Sequence, residues 1–360
     1  MIPYGRQTID EDDIDAVVAV LRGDWLTQGP AIERFERTVI EATGARHAIA
    51  FSSGTAALHG ACAAAGFGPG HRVATSPLSF VASANCVRYV GADVSFVDID
   101  PGTLNLDPAG VPNGLDGLVA VHYAGLPVDL SNLAHRPTVV IEDAAQALGA
   151  ETPDGPVGNC ARSEMTCFSF HPVKAVTTAE GGIVTTNDNA LADRLRRFRT
   201  HGINRPLTHE PWFYEVVETG FNYRLTDVQA ALGASQMSKL ADFIQRRRSI
   251  AARYDNELAD LDLIPAPRPV EGFAHGYHLY PIRVRDRLSV FMGLRERGIL
   301  PQVHYVPIHH HPIYAHEEWD LPACDDAYAG ILSLPIFPLL TDDEQSKVID
   351  ALRQLIGPKQ

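Results

Sequence analysis

The feature that most constrains the fold is a regular alternation of short apolar runs and helix-like stretches between residues 46 and 187. This alternation is typical of β-α-β units around a largely parallel sheet, and it predicts an α/β protein with seven strands in that sheet. Ligands bind such sheets outside the carboxyl ends of the strands, where Ser53, Asp143 and Ser169 fall. The predicted strands are Arg46–Phe51, Arg72–Thr75, Asp93–Val97, Leu118–His122, Thr138–Ile141, Met165–Phe170 and Ile183–Thr186.

The second part of the chain indicates a separate, smaller α/β domain. A long helical stretch from Thr226 to Leu258 is predicted to connect to it, and 360 residues exceed what one core usually serves. We predict a large domain over residues 1–240, whose N-terminal segment packs on the small domain, and a small domain over residues 241–360. The predicted elements of the small domain are a strand at Tyr277–Val284, a helix at Leu288–Arg297, a strand at Gln302–Val306 and a final helix with a capping box of Thr341 and Glu344.

The charge and cysteine content exclude several classes of protein. A net charge of −14 argues against general binding to nucleic acid or anionic membranes, because both require a basic surface. The five cysteines are scattered without a CxxC pair, which indicates neither a disulfide framework nor a zinc knuckle. Neither a signal peptide nor a run of about 18 apolar residues is present, so we expect a cytoplasmic protein.

Lys174 lies in the segment Ser169-Phe170-His171-Pro172-Val173-Lys174, just after an apolar strand and before a glycine pair. A lone lysine is nearly always a solvated surface charge. In this setting it could instead supply an amine of depressed pKa that bonds to the aldehyde of pyridoxal 5'-phosphate. Its role therefore depends on whether the other parts of a cofactor site are present.

Asp143 emerges from the apolar run Val139-Val140-Ile141 and could hold the pyridine nitrogen of the cofactor protonated. Aspartate is also a favoured helix N-cap residue, so a capping role is equally compatible with this position. Gln146, three residues later, would lie on the same side of a helix and could reach the ring hydroxyl.

Ser53, Gly54 and Thr55 form a turn that opens a helix, a setting that supplies backbone amides, hydroxyls and the helix dipole to a phosphate. Ser169 could add another hydroxyl. Phe80 could stack on the ring, although most such phenylalanines belong to the core. A plain Ser/Thr helix cap would explain the turn equally well, so the four features are informative chiefly in combination.

These motifs resemble those of the DegT/DnrJ/EryC1/StrS group of fold-type-I, pyridoxal-phosphate-dependent sugar aminotransferases, and the resemblance runs nearly from end to end. It implies a large domain with a mostly parallel seven-stranded sheet flanked by helices, plus a smaller C-terminal domain. The segments that carry it are Asp24–Pro30, Ser53-Gly54-Thr55, Glu142–Gln146, the Lys174 segment and Gly220–Asp227.

Within the family, several stretches resemble the aminotransferases of pseudaminic acid biosynthesis. Those enzymes aminate the C4 ketone of UDP-2-acetamido-2,6-dideoxy-β-L-arabino-hexos-4-ulose. An aminotransferase for another UDP- or TDP-linked keto sugar would hold the cofactor in the same way. The stretches are Ser79–Asn85, Ser169–Lys174, Thr177–Gly182, His278–Ile282 and Gln302–Ile308.

The resemblance assigns roles to individual residues. It implies that Lys174 bonds to the cofactor aldehyde and that Asp143 contacts the pyridine nitrogen. It further implies a homodimer in which Asn222 reaches the cofactor phosphate of the neighbouring subunit. The other implied cofactor contacts are Gln146 near the ring oxygen, Phe80 on the ring face, and Ser53, Gly54, Thr55, Ala56 and Ser169 around the phosphate.

Histidines and arginines supply the candidates for substrate binding. The resemblance favours His304 and its loop, which includes Tyr305 and His309, and His171 is a further candidate. We predict no metal here, because neighbouring histidines point in different directions and no cysteine or acid completes a zinc pattern. Arg224 is a candidate for an anionic group. The run Arg246-Arg247-Arg248 is predicted to be a solvated helix face, with a clamp for a diphosphate as the alternative.

The implied reaction is a transamination in two halves. L-glutamate leaves 2-oxoglutarate and pyridoxamine 5'-phosphate, and the amine then passes to C4 of the keto sugar. Lys174 transfers the proton in both halves. An intact Lys174 argues against the related dehydrases, in which histidine replaces it, and against a non-catalytic protein that merely binds pyridoxal phosphate.

Overall fold

The computed structural model describes residues 1–206, 210–316 and 318–359. The α-helices in these ranges are α1 (Glu11–Leu21), α2 (Pro30–Thr43), α3 (Gly54–Ala64), α4 (Ala82–Tyr89), α5 (Asn189–Arg199), α6 (Asp227–Met237), α7 (Leu240–Glu257), α8 (Arg287–Glu296), α9 (Pro322–Gly330) and α10 (Asp342–Leu355). The strands are β1 (Ile2–Pro3), β2 (His47–Phe51), β3 (Arg72–Thr75), β4 (Asp93–Phe96), β5 (Gly117–Val121), β6 (Val139–Asp143), β7 (Glu151–Thr152), β8 (Gly155–Pro156), β9 (Met165–Ser169), β10 (Gly182–Thr186), β11 (Ile203–Asn204), β12 (Glu215–Val216), β13 (Tyr280–Arg283), β14 (Ile299–Leu300) and β15 (Ile331–Leu334).

The seven strands predicted from the apolar runs overlap the seven strands of one sheet, in the order β2-β10-β9-β6-β5-β3-β4. Strands β9, β6, β5, β3 and β4 pair in parallel, whereas β10 is antiparallel to both of its neighbours. The carboxyl ends of β2, β6 and β9 therefore lie at one edge of the sheet. Residues that follow these strands are brought to the same region although they are far apart in the chain.

The sheet is covered on both faces, as its apolar strands require. In β2, Ile49 and Phe51 belong to the core cluster that includes α3. The intervening Ala48 and Ala50 pack into the cluster that includes Phe35 of α2. Because successive side chains of a strand point to opposite faces, this alternation produces a three-layered large domain.

Two predicted elements of the second half differ in the structure. The long helix from Thr226 to Leu258 is two helices, α6 and α7, separated at Ser238 and Lys239. The Ser238 hydroxyl donates to the carbonyl of Ser235, a local bond that competes with helix continuation. Apolar spacing alone could not reveal the break, because apolar residues continue at helical spacing through both helices.

The predicted strand Gln302–Val306 is also wrong. Only Gln302 forms a bridge, to Ser333, and β13 pairs instead with β15, which the sequence analysis missed. The carbonyl of His304 accepts from the Tyr123 hydroxyl rather than from a neighbouring strand. A side-chain hydrogen bond to this segment thus takes the place of a backbone hydrogen bond to a neighbouring strand. The final helix does begin as predicted, with Thr341 as its N-cap and the capping box complete.

The N-terminal residues pack against the C-terminal part of the chain. Strand β1 pairs in parallel with β14, and Ile2 joins a hydrophobic cluster otherwise drawn from residues 250–356. The division into domains at about residue 240 stays a prediction. Within the described ranges, no helix combines the length and apolar character needed to cross a membrane.

Candidate active site

An open cleft of about 570 Å³ lies at the carboxyl ends of the central strands. This volume lies within the ~300–1,000 Å³ of a typical small-molecule site. Eleven residues singled out from the sequence line it: Ser53, Gly54, Thr55, Phe80, Asp143, Gln146, Ser169, His171, Lys174, His304 and Tyr305.

Lys174 lies in a turn after β9, where its backbone N–H donates to the carbonyl of His171 at 2.9 Å. Burial lowers the pKa of its amine to about 8; the carboxylate of Asp143 opposes that change and the charge of Arg247 adds to it. The chain has only four lysines. Of these, Lys174 alone lines the cleft among its described residues, so it is the one amine there with a substantial neutral fraction near neutral pH.

Asp143 is the last residue of β6 and is buried. Its Oδ2 accepts from the Ser83 hydroxyl at 2.6 Å and its Oδ1 from the Ala145 amide at 3.1 Å. The Ser83 hydroxyl lies 2.7 Å from that of Ser79. These bonds fix the orientation of the carboxylate, which lines the cleft.

Glu142, the neighbour of Asp143, faces the opposite side of the sheet. It accepts from the Nε2 of His122 at 2.7 Å and from the hydroxyls of Ser163 and Thr166. Burial alone would raise the pKa of Glu142, but these hydrogen bonds outweigh it and lower the pKa. Strand alternation thus gives two adjacent acids different roles, one structural and one in the cleft.

The candidate phosphate site lies where α3 begins. Ser53 is the N-cap of that helix and accepts from the Ala56 amide at 3.1 Å, and Ala56 itself does not line the cleft. A Cβ added at Gly54 would lie 2.8 Å from the Cβ of Ser169 and 3.0 Å from its hydroxyl. Glycine is therefore required for the helix N-terminus to approach Ser169, which forms a cradle suited to an anion.

We expect Gly54→Ala to weaken cofactor binding. The added methyl must displace Ser169 from the cradle, and overpacking of this kind costs about 1–3 kcal/mol, or roughly 5- to 150-fold in affinity. Fluorescence titration of the apoprotein with pyridoxal phosphate measures the loss. Gly357→Ala is the matched control, because a Cβ there meets nothing within 4 Å. Equal affinity of the two variants would contradict the assignment of the cradle.

Gln146 joins the large domain to the C-terminal part of the cleft. Its Oε1 accepts from the Ala124 amide at 2.6 Å and its Nε2 donates to the Tyr305 hydroxyl at 2.9 Å. Phe80 lines the same cleft and is 56% exposed, with its ring centroid 6.0 Å from that of Tyr305. An exposed aromatic ring at the wall of a cleft leaves a face free for stacking on a planar ligand.

Two buried histidines face Lys174 from the C-terminal half. Burial holds the pKa of His278 well below its usual range. The positive charges of Lys174 and Arg247 lower it further. Burial and the charge of Lys174 lower the pKa of His304 to about 3. The Nδ1 of His278 has no hydrogen-bond partner, whereas His304 Nδ1 lies 3.0 Å from the Ser333 hydroxyl. Both rings are therefore neutral near pH 7.

Four predicted site residues lie outside the cleft, and one of them is Ala56. Asn222 forms an isolated antiparallel β-bridge with Thr200. The Nε of Arg224, two residues later, is buried without a hydrogen-bond partner. Their assignment to a phosphate of a second subunit and to an anionic group stays a prediction. His309 is carried away from the cleft by a 3-10 turn, Ile308–His310.

Two neighbouring histidines share a carboxylate partner that was not predicted from the sequence. The Nε2 atoms of His309 and His310 both approach one carboxylate oxygen of Asp325, at 3.1 and 2.8 Å. These three residues form a group with ligand atoms within 4.8 Å of one another. Neighbouring histidines therefore do converge, and an acid from α9 joins them. The prediction that no metal binds is not tested by this geometry.

Sequence reasoning also missed functional candidates that the fold supplies. Ser79, Ser83, His278 and Tyr4 all line the cleft. Ser79 and Ser83 flank Phe80, and their spacing of four residues across the start of α4 was a readable signal. His278 stood in a segment already singled out, whereas nothing near Tyr4 in the sequence points to a ligand.

The arrangement meets the needs of pyridoxal phosphate: an amine of depressed pKa, a hydrogen-bonded carboxylate, a cradle that excludes a Cβ and an exposed aromatic ring. Together with the sheet topology, it defines a fold-type-I, pyridoxal-phosphate-dependent aminotransferase.

The chain belongs to the DegT/DnrJ/EryC1/StrS aminotransferase family, which matches residues 7–353. The spore coat polysaccharide biosynthesis protein SpsC of Bacillus subtilis (strain 168) is 35% identical over 99% of this chain and 97% of that protein. Among solved structures, a putative sugar aminotransferase of Streptococcus pneumoniae in its PMP form has a TM-score of 0.92 at 27% identity, covering 99% of each chain. The Helicobacter pylori aminotransferase PseC, involved in the biosynthesis of pseudoaminic acid, has a TM-score of 0.90 at 30% identity and 98% coverage of each chain. The predicted family, fold, enzyme class and cofactor are confirmed.

Proposed function

We propose that this sugar aminotransferase moves an amino group from L-glutamate to the C4 ketone of a nucleotide-linked 4-keto-6-deoxy sugar. The preferred substrate is UDP-2-acetamido-2,6-dideoxy-β-L-arabino-hexos-4-ulose, as in pseudaminic acid biosynthesis, and the enzyme acts as a cytoplasmic homodimer. The observation that carries the proposal is that Lys174, Asp143 and the candidate phosphate site at the start of α3 line one cleft.

Lys174 and Asp143 divide the chemistry. When bound, pyridoxal phosphate supplies an electron-withdrawing ring that stabilises the negative charge left when a proton leaves carbon. The neutral amine of Lys174 removes the proton from the α-carbon of glutamate in the first half and returns one to C4 of the sugar in the second. Asp143, oriented by Ser83 and Ala145, keeps the ring nitrogen protonated.

Other residues of the cleft bind and orient. Ser53, Gly54, Thr55 and Ser169 hold the phosphate through the N-terminus of α3, where amides and the helix dipole favour an anion. We assign the sugar to the side of the cleft formed by His171, His304 and Tyr305. The neutral imidazole of His304 can both donate and accept hydrogen bonds to sugar hydroxyls, which a protonated ring cannot do.

Similarity to PseC supports the UDP-sugar substrate, but an aminotransferase for another UDP- or TDP-linked keto sugar would use the same cofactor contacts. The test is a panel of UDP- and TDP-linked 4-keto sugars with glutamate, scored for 2-oxoglutarate release and for the C4 configuration of the product. The highest kcat/KM is expected with the UDP-linked N-acetylated sugar. A higher value with a TDP-linked sugar would overturn the substrate while leaving transamination intact.

The absorption spectrum separates an aminotransferase from a protein that only binds the cofactor. We expect a yellow holoprotein whose visible band disappears on addition of glutamate and returns on addition of 2-oxoglutarate. A band that glutamate leaves unchanged, in protein saturated with cofactor, would exclude glutamate as the amino donor.

We expect Asn222→Ala to weaken cofactor retention if Asn222 reaches the phosphate of the neighbouring subunit. Loss of one charge-assisted hydrogen bond costs about 1.5–3 kcal/mol, or roughly 10- to 150-fold in affinity. Dissociation of pyridoxal phosphate during dialysis, with sedimentation to establish the oligomer, measures the effect. Full activity in a monomeric form of the wild-type protein would refute the shared site.

A further inference from the structure

Arg247 of α7 is fully buried, at 1% exposure, rather than part of the solvated face predicted for Arg246-Arg247-Arg248. Its Nη1 donates to three backbone carbonyls, those of Ile336 at 2.9 Å, Tyr277 at 3.1 Å and His278 at 3.3 Å. Its Nε is buried without a partner. Among the described residues no carboxylate forms an ion pair with it, so a guanidinium charge is buried uncompensated.

Other arginines of α7 have conventional surroundings. Arg246 pairs with Asp342 at 2.9 Å and Arg253 pairs with Glu257 at 2.6 Å. Burying a charge without a counter-ion costs several kcal/mol. Arg247 is therefore costly for folding, which directs attention to what its charge does in the neighbouring cleft.

Arg247 lies behind the wall of the cleft that faces Lys174. The carbonyls it holds belong to Tyr277 and His278, and the His278 ring lines the cleft. Its positive charge also acts on Lys174: after burial, which is the largest cause, the charge of Arg247 further lowers the pKa of that amine. Arg247 thus holds the backbone of a residue that lines the cleft, and its charge also acts on Lys174.

We propose that Arg247 is a positioning residue of the transamination site, which fixes the backbone that carries His278 and places a permanent positive charge behind the amine of Lys174. The inference rests on the proposed role of Lys174. Asp143 has the opposite effect on that amine and raises its pKa. Burial and, to a smaller extent, Arg247 act against this effect, so that the carboxylate can serve the cofactor ring while a fraction of the lysine remains able to accept a proton.

Charged and titratable groups from several segments of the chain surround the amine of Lys174 and could change its pKa. Asp143 is the negative group identified as acting on it, and Arg247 is permanently charged. His278 and His304 are neutral near pH 7 because burial lowers their pKa values. The remaining titratable groups that line the cleft are His171, Glu180, Tyr4 and Tyr305.

The four lysines of the chain permit a direct test without cofactor or substrate. Apoprotein labelled with [ε-¹³C]lysine should give four side-chain signals, which single Lys→Arg variants assign. In wild-type protein the Lys174 signal is expected to titrate with a midpoint of about 8. In Arg247→Met the midpoint should rise, and the pH dependence of cofactor capture should move in the same direction.

Arg248→Met is the matched control. Arg248 is the next residue of the same helix and also donates to carbonyls, those of His275 and Gly149, but it is not among the causes of the Lys174 shift. Its variant should lose stability without moving the Lys174 midpoint. If Arg247→Met leaves that midpoint unchanged although activity falls, the role of Arg247 is structural and the proposal is overturned.

Arg247→Lys keeps the test decisive if Arg247→Met fails to fold. It retains a cation but not the forked set of donors, so the Lys174 midpoint should stay near the wild-type value while kcat falls. A midpoint near that of an ordinary lysine in this variant, or in the wild-type protein, would refute the electrostatic role. Failure of the sugar panel with a normal Lys174 titration would instead refute only the proposed substrate.

Discussion

Lys174→Ala is expected to abolish turnover while pyridoxal phosphate still binds without a covalent bond. The variant lacks both the amine that bonds to the aldehyde and the group that moves the proton, and general acid–base catalysis alone contributes about 10²–10⁴-fold. Steady-state release of 2-oxoglutarate measures the loss. Residual cofactor binding is expected because Asp143, Ser169 and the N-terminus of α3 remain.

Because the chain has only four lysines, another lysine can serve as a control for this prediction. Lys347 is exposed on α10, and Lys347→Ala should retain wild-type kcat. Borohydride reduction of the holoprotein followed by peptide mass spectrometry should place the cofactor on Lys174 and on none of the other three lysines. A label at another lysine, or wild-type turnover by Lys174→Ala, would refute the assignment.

Covalent capture of the cofactor by the apoprotein should depend on pH in a way set by the pKa of Lys174, about 8. The neutral amine is the reactive form and predominates above that pKa, so the capture rate should rise with pH and level off above about 8. At pH 7 roughly a tenth of such an amine is neutral, against less than ~0.1% for an ordinary lysine. A rate that rises without levelling up to pH 10 would show an unperturbed amine.

Asp143→Asn is expected to lower kcat by about 10²–10³-fold or more, the scale of losing a preorganised charge partner in an active site. The amide keeps the shape of the side chain but cannot hold the ring nitrogen protonated. Steady-state kinetics with glutamate measure the loss, and the spectrum of the bound cofactor reports the ring nitrogen separately.

The same variant should leave the stability of the apoprotein unchanged or raise it. Asp143 is buried, and replacing a buried charge by a neutral isostere removes a desolvation cost. Asp350→Asn, at an exposed position of α10, is the control and should change neither activity nor Tm. If Asp143→Asn loses activity and Tm together, the carboxylate is structural, as a helix cap would be.

The large domain could be predicted from the sequence because its strands are buried on both faces. Such strands are continuous apolar runs, so their number and order are visible without a structure. Lys174 and Asp143 were identifiable because each follows one of these runs, and the carboxyl ends of parallel strands meet. The break between α6 and α7 could not be predicted, because a local side-chain hydrogen bond accompanies it. Strand β15 could not be predicted either, because its pairing partner β13 is distant in the chain.

The sequence by itself determined the sheet, the position of the cleft and the placement of Lys174 and Asp143 beside it, since all of these follow from local patterns along neighbouring strands. Only the tertiary structure decided that Tyr4 and His278 complete the cleft and that Arg247 lies buried behind it. These residues arrive from segments far apart in the chain, through the pairing of β1 with β14 and through bonds from α7 to the backbone of residues 277–278. Contacts between such distant segments depend on the packing of the whole chain, which no local pattern of residues specifies.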